Sequence, residues 1–109
     1  MSTFQKCITT DNDFLEFVPI TVNDSFLARD SRGLVEFSIS GSWAGECTLF
    51  RKFPFDDLFF PAEFVWRPVA VWTKNAEDHF FNTKTGTAWR VGFASGKLIA
   101  GSCYVKVEV

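Results

Sequence analysis

Apolar and polar residues alternate with a period of two in short blocks along this chain, and helical periodicity is weak throughout. Residues 34–40 show the alternation most clearly. Val35, Phe37 and Ile39 fall on one face and Glu36, Ser38 and Ser40 on the other, as in a half-buried strand. Gly41-Ser42-Trp43-Ala44-Gly45 has a glycine at each end and reads as a turn. Residues 46–53 alternate again, with Cys47, Leu49, Arg51 and Phe53 opposite Thr48, Phe50 and Lys52, so 34–53 reads as a hairpin. Residues 64–73 form a further strand, in which Pro68 cannot donate to a ladder and marks an edge, a bulge or a break. A polar turn over 74–78, a short strand over 79–82 and a turn at Thr85-Gly86 follow. In 87–94, Trp89, Val91 and Phe93 alternate with Arg90 and Gly92. The final strand, 102–109, sends Cys103, Val105, Val107 and Val109 inward and Tyr104, Lys106 and Glu108 outward. Residues 4–9 and 14–20 or 25–29 supply the remaining strands, separated by Asp11-Asn12-Asp13 and Asn23-Asp24.

Short strands with a turn every ~8–12 residues are the sequence form of a β-sandwich or small barrel. The expected fold is all-β: a single two-layer antiparallel β-sandwich, Ig-like or jelly-roll-like, with about seven or eight short strands. One domain occupies 1–109, since no internal repeat, linker or low-complexity tract divides it. Its first 30 residues add strands or form a docking arm. Composition then changes the picture in one respect. With 14 phenylalanines, four tryptophans and one tyrosine, the chain has more rings than a small core hides. Some are expected to be buried by a partner.

Charge narrows the partner. The net charge is −2 and the densest basic stretch, Arg51-Lys52, has only two charges, which argues against nucleic acid. No apolar run approaches the ~18 residues of a spanning helix, and Met1 to Lys6 lacks the apolar core of a signal peptide. The expectation is a protein without a membrane, made in a cytoplasm. Cys7, Cys47 and Cys103 include no CxxC, and one histidine is too few for the common zinc patterns. Reduced, buried thiols are expected, with a Cys47–Cys103 bridge as the alternative, because both can face the same interior.

Candidate catalytic chemistry is sparse. His79, the only histidine, sits beside Glu77 and Asp78 and reads as a solvated turn residue. The acid pairs Asp11/Asp13, Asp56/Asp57 and Glu77/Asp78 also fall in turns, where they cap backbone or meet water. Asp11-Asn12-Asp13 opens like a calcium loop, but the glycine at its sixth position and the acid at its twelfth are absent. No catalytic residue, metal or other cofactor is expected. Arg51 shares a face with Leu49 and Phe53, so its guanidinium should reach the sheet edge or meet an acid.

The most distinctive stretch runs from Phe53 to Trp66, apolar where a connection should be polar. Phe55, Leu58, Phe59 and Phe60 either fill the ends of the sandwich or form an exposed knob stiffened by Pro54 and Pro61. Phe50, on the outward face with Thr48 and Lys52, is a further candidate partner contact.

Ser38 to Phe53 resembles a run in small tailed-phage virion proteins, where a G-S/T-W-x-G-x-V/C-x-L-x-R-S-F hairpin leads to an aspartate-containing turn and a tryptophan. In those proteins a Y/W-R-V/L-G strand comes later, matched here by Trp89-Arg90-Val91-Gly92. Their closing SG-x-V-x-V-x-L/V strand corresponds to Ser102–Val109, with Ser95-Gly96 upstream. The resemblance covers 33–109 and departs at 54–64, where the Phe/Pro insert replaces a glycine-rich turn. It implies a non-enzymatic virion component: a capsid decoration (cement) protein, or a part of the neck, tail or a fibre. The partners it implies are the major capsid protein or other virion proteins, with self-association into a homo-oligomer the further option. From the residues alone, a carbohydrate-binding module is the alternative, with Trp43, Trp66, Trp72 and Trp89 as stacking candidates. If the knob docks, the double change Phe59→Ser, Phe60→Ser should leave the melting temperature nearly intact and abolish particle binding. Binding of the unaltered chain should vary little with salt. A large fall in melting temperature would place both rings in the core.

Overall fold

The alternation becomes eight strands. The computed structural model describes residues 3–19, 34–53, 65–82 and 86–109. Among them run β1 (Thr3–Ile8), β2 (Asp13–Phe17), β3 (Leu34–Gly45), β4 (Cys47–Lys52), β5 (Arg67–Trp72), β6 (Ala76–Phe81), β7 (Ala88–Phe93) and β8 (Leu98–Glu108). They form two antiparallel sheets of four, ordered β1-β8-β3-β6 and β2-β7-β4-β5. The chain is an all-β, two-layer sandwich.

Four of the pairings nest: β1 with β8, β2 with β7, β3 with β6 and β4 with β5. The chain is thus one long hairpin folded about the connection between β4 and β5. Rolling that hairpin brings β3 against β8 and β4 against β7. This strand order is that of a jelly roll, one of the two sandwich types expected. Every connection except β4–β5 passes from one sheet to the other.

That topology overturns the hairpin read at 34–53. β3 continues through Gly41 to Gly45, and β4 belongs to the opposite sheet. Glu46 alone makes the crossing, its N–H donating to Lys97 O at 2.9 Å. The two glycines admit a neighbouring backbone instead of reversing the chain. A Cβ on Gly45 (φ 145°) would lie 2.0 Å from Lys97 O, and one on Gly41 (φ 107°) 2.6 Å from Ser102 O. The polar turn read over 74–78 is also shorter. Ala76, Glu77 and Asp78 belong to β6, an edge strand that tolerates charge because one side faces water. Pro68 lies on the other sheet's edge strand, β5, where the register slips opposite Leu49/Phe50. The strand alternative at 25–29 lies outside the described residues.

The inward positions Val35, Phe37, Ile39, Leu49, Val91, Phe93, Cys103, Val105 and Val107 are all buried, none more than 2% exposed. Phe37 is their hub. Its ring meets Phe80 of its own sheet and Phe17, Trp72 and Trp89 of the facing sheet, with centroids 5.8–6.2 Å apart. Trp43 closes one end of the sandwich, edge-on to Phe93 at 5.5 Å, and its Nε1 donates to Asn75 Oδ1 at 2.8 Å. Replacing Phe37 with Ala should cost about 3–5 kcal/mol in urea unfolding. A loss under about 0.5 kcal/mol would show that the hub does not hold the sheets together.

Candidate docking face

Because Trp89 and Val91 point into the core, Arg90 between them must point out. It emerges mid-sheet, with Glu16 of β2 beside it in register on one side and Phe50 of β4 on the other. One step along, Phe14 of β2 pairs with Gly92 of β7. A Cβ on Gly92 would meet Phe14 Cα at 2.8 Å and Phe14 Cδ1 at 3.0 Å, so glycine lets that ring lie close to β7. Trp66 enters from just before β5.

The result is a guanidinium set among three rings. The Arg90 Cζ lies 4.5 Å from the Phe14 centroid, 4.6 Å from Trp66 and 5.0 Å from Phe50. Phe14 and Phe50 meet edge to face at 6.0 Å, and Lys52 Nζ lies 5.2 Å from the Trp66 ring. A cation over a ring face is attracted by the ring quadrupole, more strongly as water is removed. Here water is partly removed: Arg90 Nε is buried, with no hydrogen-bond partner among the described residues. Burial lowers the Arg90 pKa from its ordinary value, and the Glu16 carboxylate opposes the shift. The three rings and Arg90 are half-buried, and the face continues through exposed Pro68 and Val71.

Of the other candidate groups, Asp11 and Asp13 are committed to the fold, and Asp56 and Asp57 lie outside the described residues. Asp11 accepts from the backbone N–H of Gly96 (3.2 Å) and Leu98 (2.9 Å), tying the β1–β2 connection to the β7–β8 turn. Asp13 pairs with Lys6 Nζ at 2.6 Å. His79 is exposed on β6, not in a turn, with its ring edge-on to Phe81. It borders a shallow depression of about 270 Å³ on the outer face of the first sheet, with Glu36, Ser38, Glu77, Lys106 and Glu108. Lys106 there is paired with Glu108 at 3.1 Å. Among the described residues, the Arg51 guanidinium lies over the Phe53 ring at 4.9 Å and near Trp89 at 6.0 Å. Of the tryptophans, Trp72 and Trp89 are in the core, Trp43 closes the sandwich end, and Trp66 carries two cations on its ring.

Cys47 and Cys103 are buried free thiols on strands of opposite sheets, while Cys7 is exposed. The Cys103 side chain, together with burial, pushes the Cys47 thiol far above its ordinary value. Cys47 in turn lowers the Cys103 thiol, against the effect of burial.

Phe55, Leu58, Phe59 and Phe60 lie outside the described residues. Phe50 is at the centre of the face just described. The sequence reading did not join it to Phe14, Trp66 and Arg90. The available signal was an aromatic at an outward strand position, Phe14 on β2 and Phe50 on β4, where alternation calls for a polar residue. Comparison with family models, curated proteins and solved structures finds no match.

Arg90→Ala should lower stability by about 1–2 kcal/mol, through lost cation–ring attraction and lost stem packing. Arg90→Lys should restore only part of it, because an ammonium has no planar face to lay on a ring. Full rescue by lysine in denaturant titrations would mean that charge alone matters.

Proposed function

We propose that this chain is a non-enzymatic structural protein of a phage particle, a decoration protein that docks on the capsid through the outer face of the β2-β7-β4-β5 sheet. The observation that carries the docking reading is the Arg90 cluster. Tryptophan, arginine and other large rings dominate the energetic centres of protein interfaces, and half-buried groups held by neighbours lose little entropy on docking. The phage assignment is supported by the resemblance over 33–109. It is also supported, as analogy only, by the use of jelly rolls in viral capsid and lectin domains. A jelly roll can also enclose a ligand. Here the described interior is filled by Phe37, Trp72, Trp89 and Phe93, so binding through an outer surface is favoured.

The test uses purified virions of a phage encoding the chain. Antibody against it should label the heads, and added protein should co-sediment with heads stripped of it. Labelling confined to neck, tail or fibres would move the protein elsewhere on the particle. Glycan-array binding without particle binding would replace the reading by sugar recognition. The double variant Phe50→Ser, Trp66→Ser should retain a strand-type far-UV spectrum and bind heads about 30-fold more weakly or worse. Unchanged affinity would remove this face from the interface.

A further inference from the structure

We propose that Arg90 is a carboxylate anchor: the outer face of the β2-β7-β4-β5 sheet takes an aspartate or glutamate side chain of a protein partner, set in apolar surface, on the Arg90 guanidinium. This rests on the docking reading of that face and names the chemistry it recognises. The observation behind it is a cation whose donors the fold does not use. Three rings surround the guanidinium, with Cζ 4.5 Å from the Phe14 centroid, 4.6 Å from Trp66 and 5.0 Å from Phe50. Ring faces attract a cation, but they offer its N–H groups no carboxylate or carbonyl lone pair. Nε is buried and meets no acceptor, and among the described residues no oxygen takes a hydrogen bond from Arg90. Ion pairs among the described residues join Lys6 to Asp13, Lys97 to Glu46 and Lys106 to Glu108. Glu16, exposed and beside Arg90 in register, is in none of them.

A partly buried guanidinium without an acceptor is costly, and a planar carboxylate matches its fork with two parallel hydrogen bonds. The terminal amino groups are the ones left for such a ligand, because Nε is shut in while the residue as a whole is only half-buried. The rings supply the rest of the site. Half-buried Phe14, Phe50 and Trp66 surround the anion with apolar surface, and excluding water there strengthens the charge pair. A monoanion fits better than a phosphate, since Glu16 beside Arg90 and a net charge of −2 oppose a second negative charge. The opposite outer face does not suit the same ligand: Glu36, Glu77 and Glu108 surround Lys106, which is already paired with Glu108.

The experiment titrates the full, isotope-labelled chain with hydrocinnamate, which joins one ring to one carboxylate, and with hydrocinnamide, its neutral counterpart. In nuclear magnetic resonance spectra the acid should shift the Arg90 Nε–H and Trp66 indole N–H signals. It should bind at least about 5-fold more tightly than the amide, and phenyl phosphate should bind no better than the acid. Arg90→Gln should erase the preference for acid over amide. If that variant does not fold, the comparison of acid with amide on the unaltered chain decides by itself. On stripped heads, converting surface carboxylates to amides with a carbodiimide and an amine should weaken binding of the unaltered chain about 10-fold or more. Untreated heads that never bind the chain would overturn the particle reading alone, and the titration would still decide this one. Equal binding of acid and amide, acid-induced shifts that are absent or leave Arg90 and Trp66 unmoved, tighter binding of phenyl phosphate, or undiminished binding to amidated heads would each overturn the proposal.

Discussion

The structure depends on one contact set, the rings gathered around Phe37. The connections of a jelly roll tie its two sheets together along the chain, but no strand pairing holds them face to face. What holds the layers is burial between them. Phe37 reaches from β3 across the interior to Phe17 on β2, Trp72 on β5 and Trp89 on β7, so one side chain from the first sheet touches three strands of the second. Burying rings of this size removes large apolar areas from water, and offset or edge-on packing adds to that. Most of these partners are distant in sequence, so the contact can form only once the long hairpin has rolled.

The outer surface follows from the inner one. Side chains alternate across a strand, and fixing Trp89 and Val91 inside fixes Arg90 outside. Fixing Leu49 inside turns Phe50 out. Register then sets Phe50 and Glu16 on either side of Arg90, and Gly92 leaves room for Phe14. The positions of the Arg90 cluster are therefore set by the core residues that alternate with them. The opposite outer face has a different chemistry. Glu36, Glu77 and Glu108 surround a paired Lys106, and Tyr104 Oη donates to Gln5 Oε1 at 2.6 Å.

Strand faces were legible in the sequence because alternation is a local property. Val35, Phe37 and Ile39, or Cys103, Val105 and Val107, can be assigned inward without knowing what they pack against. Pairing was not legible. Gly41 and Gly45 have the same appearance whether they reverse a chain or admit a neighbour, and here they admit β8. The same limit hid the candidate site. Phe14, Phe50, Trp66 and Arg90 lie far apart in sequence and meet only through the β2-β7-β4 register. Phe50 was recognised as an outward aromatic, but the cation that orders its neighbourhood sits 40 positions away.

The central claim is that the sheet face around Arg90 is the surface a particle covers. Tryptophan-selective oxidative footprinting of the chain, free and bound to heads, tests it most directly. In the free protein Trp66 should be modified while Trp72 and Trp89 stay protected. Binding should protect Trp66 and leave the other three tryptophans as they were. Trp66 modified equally in free and bound protein would contradict the account.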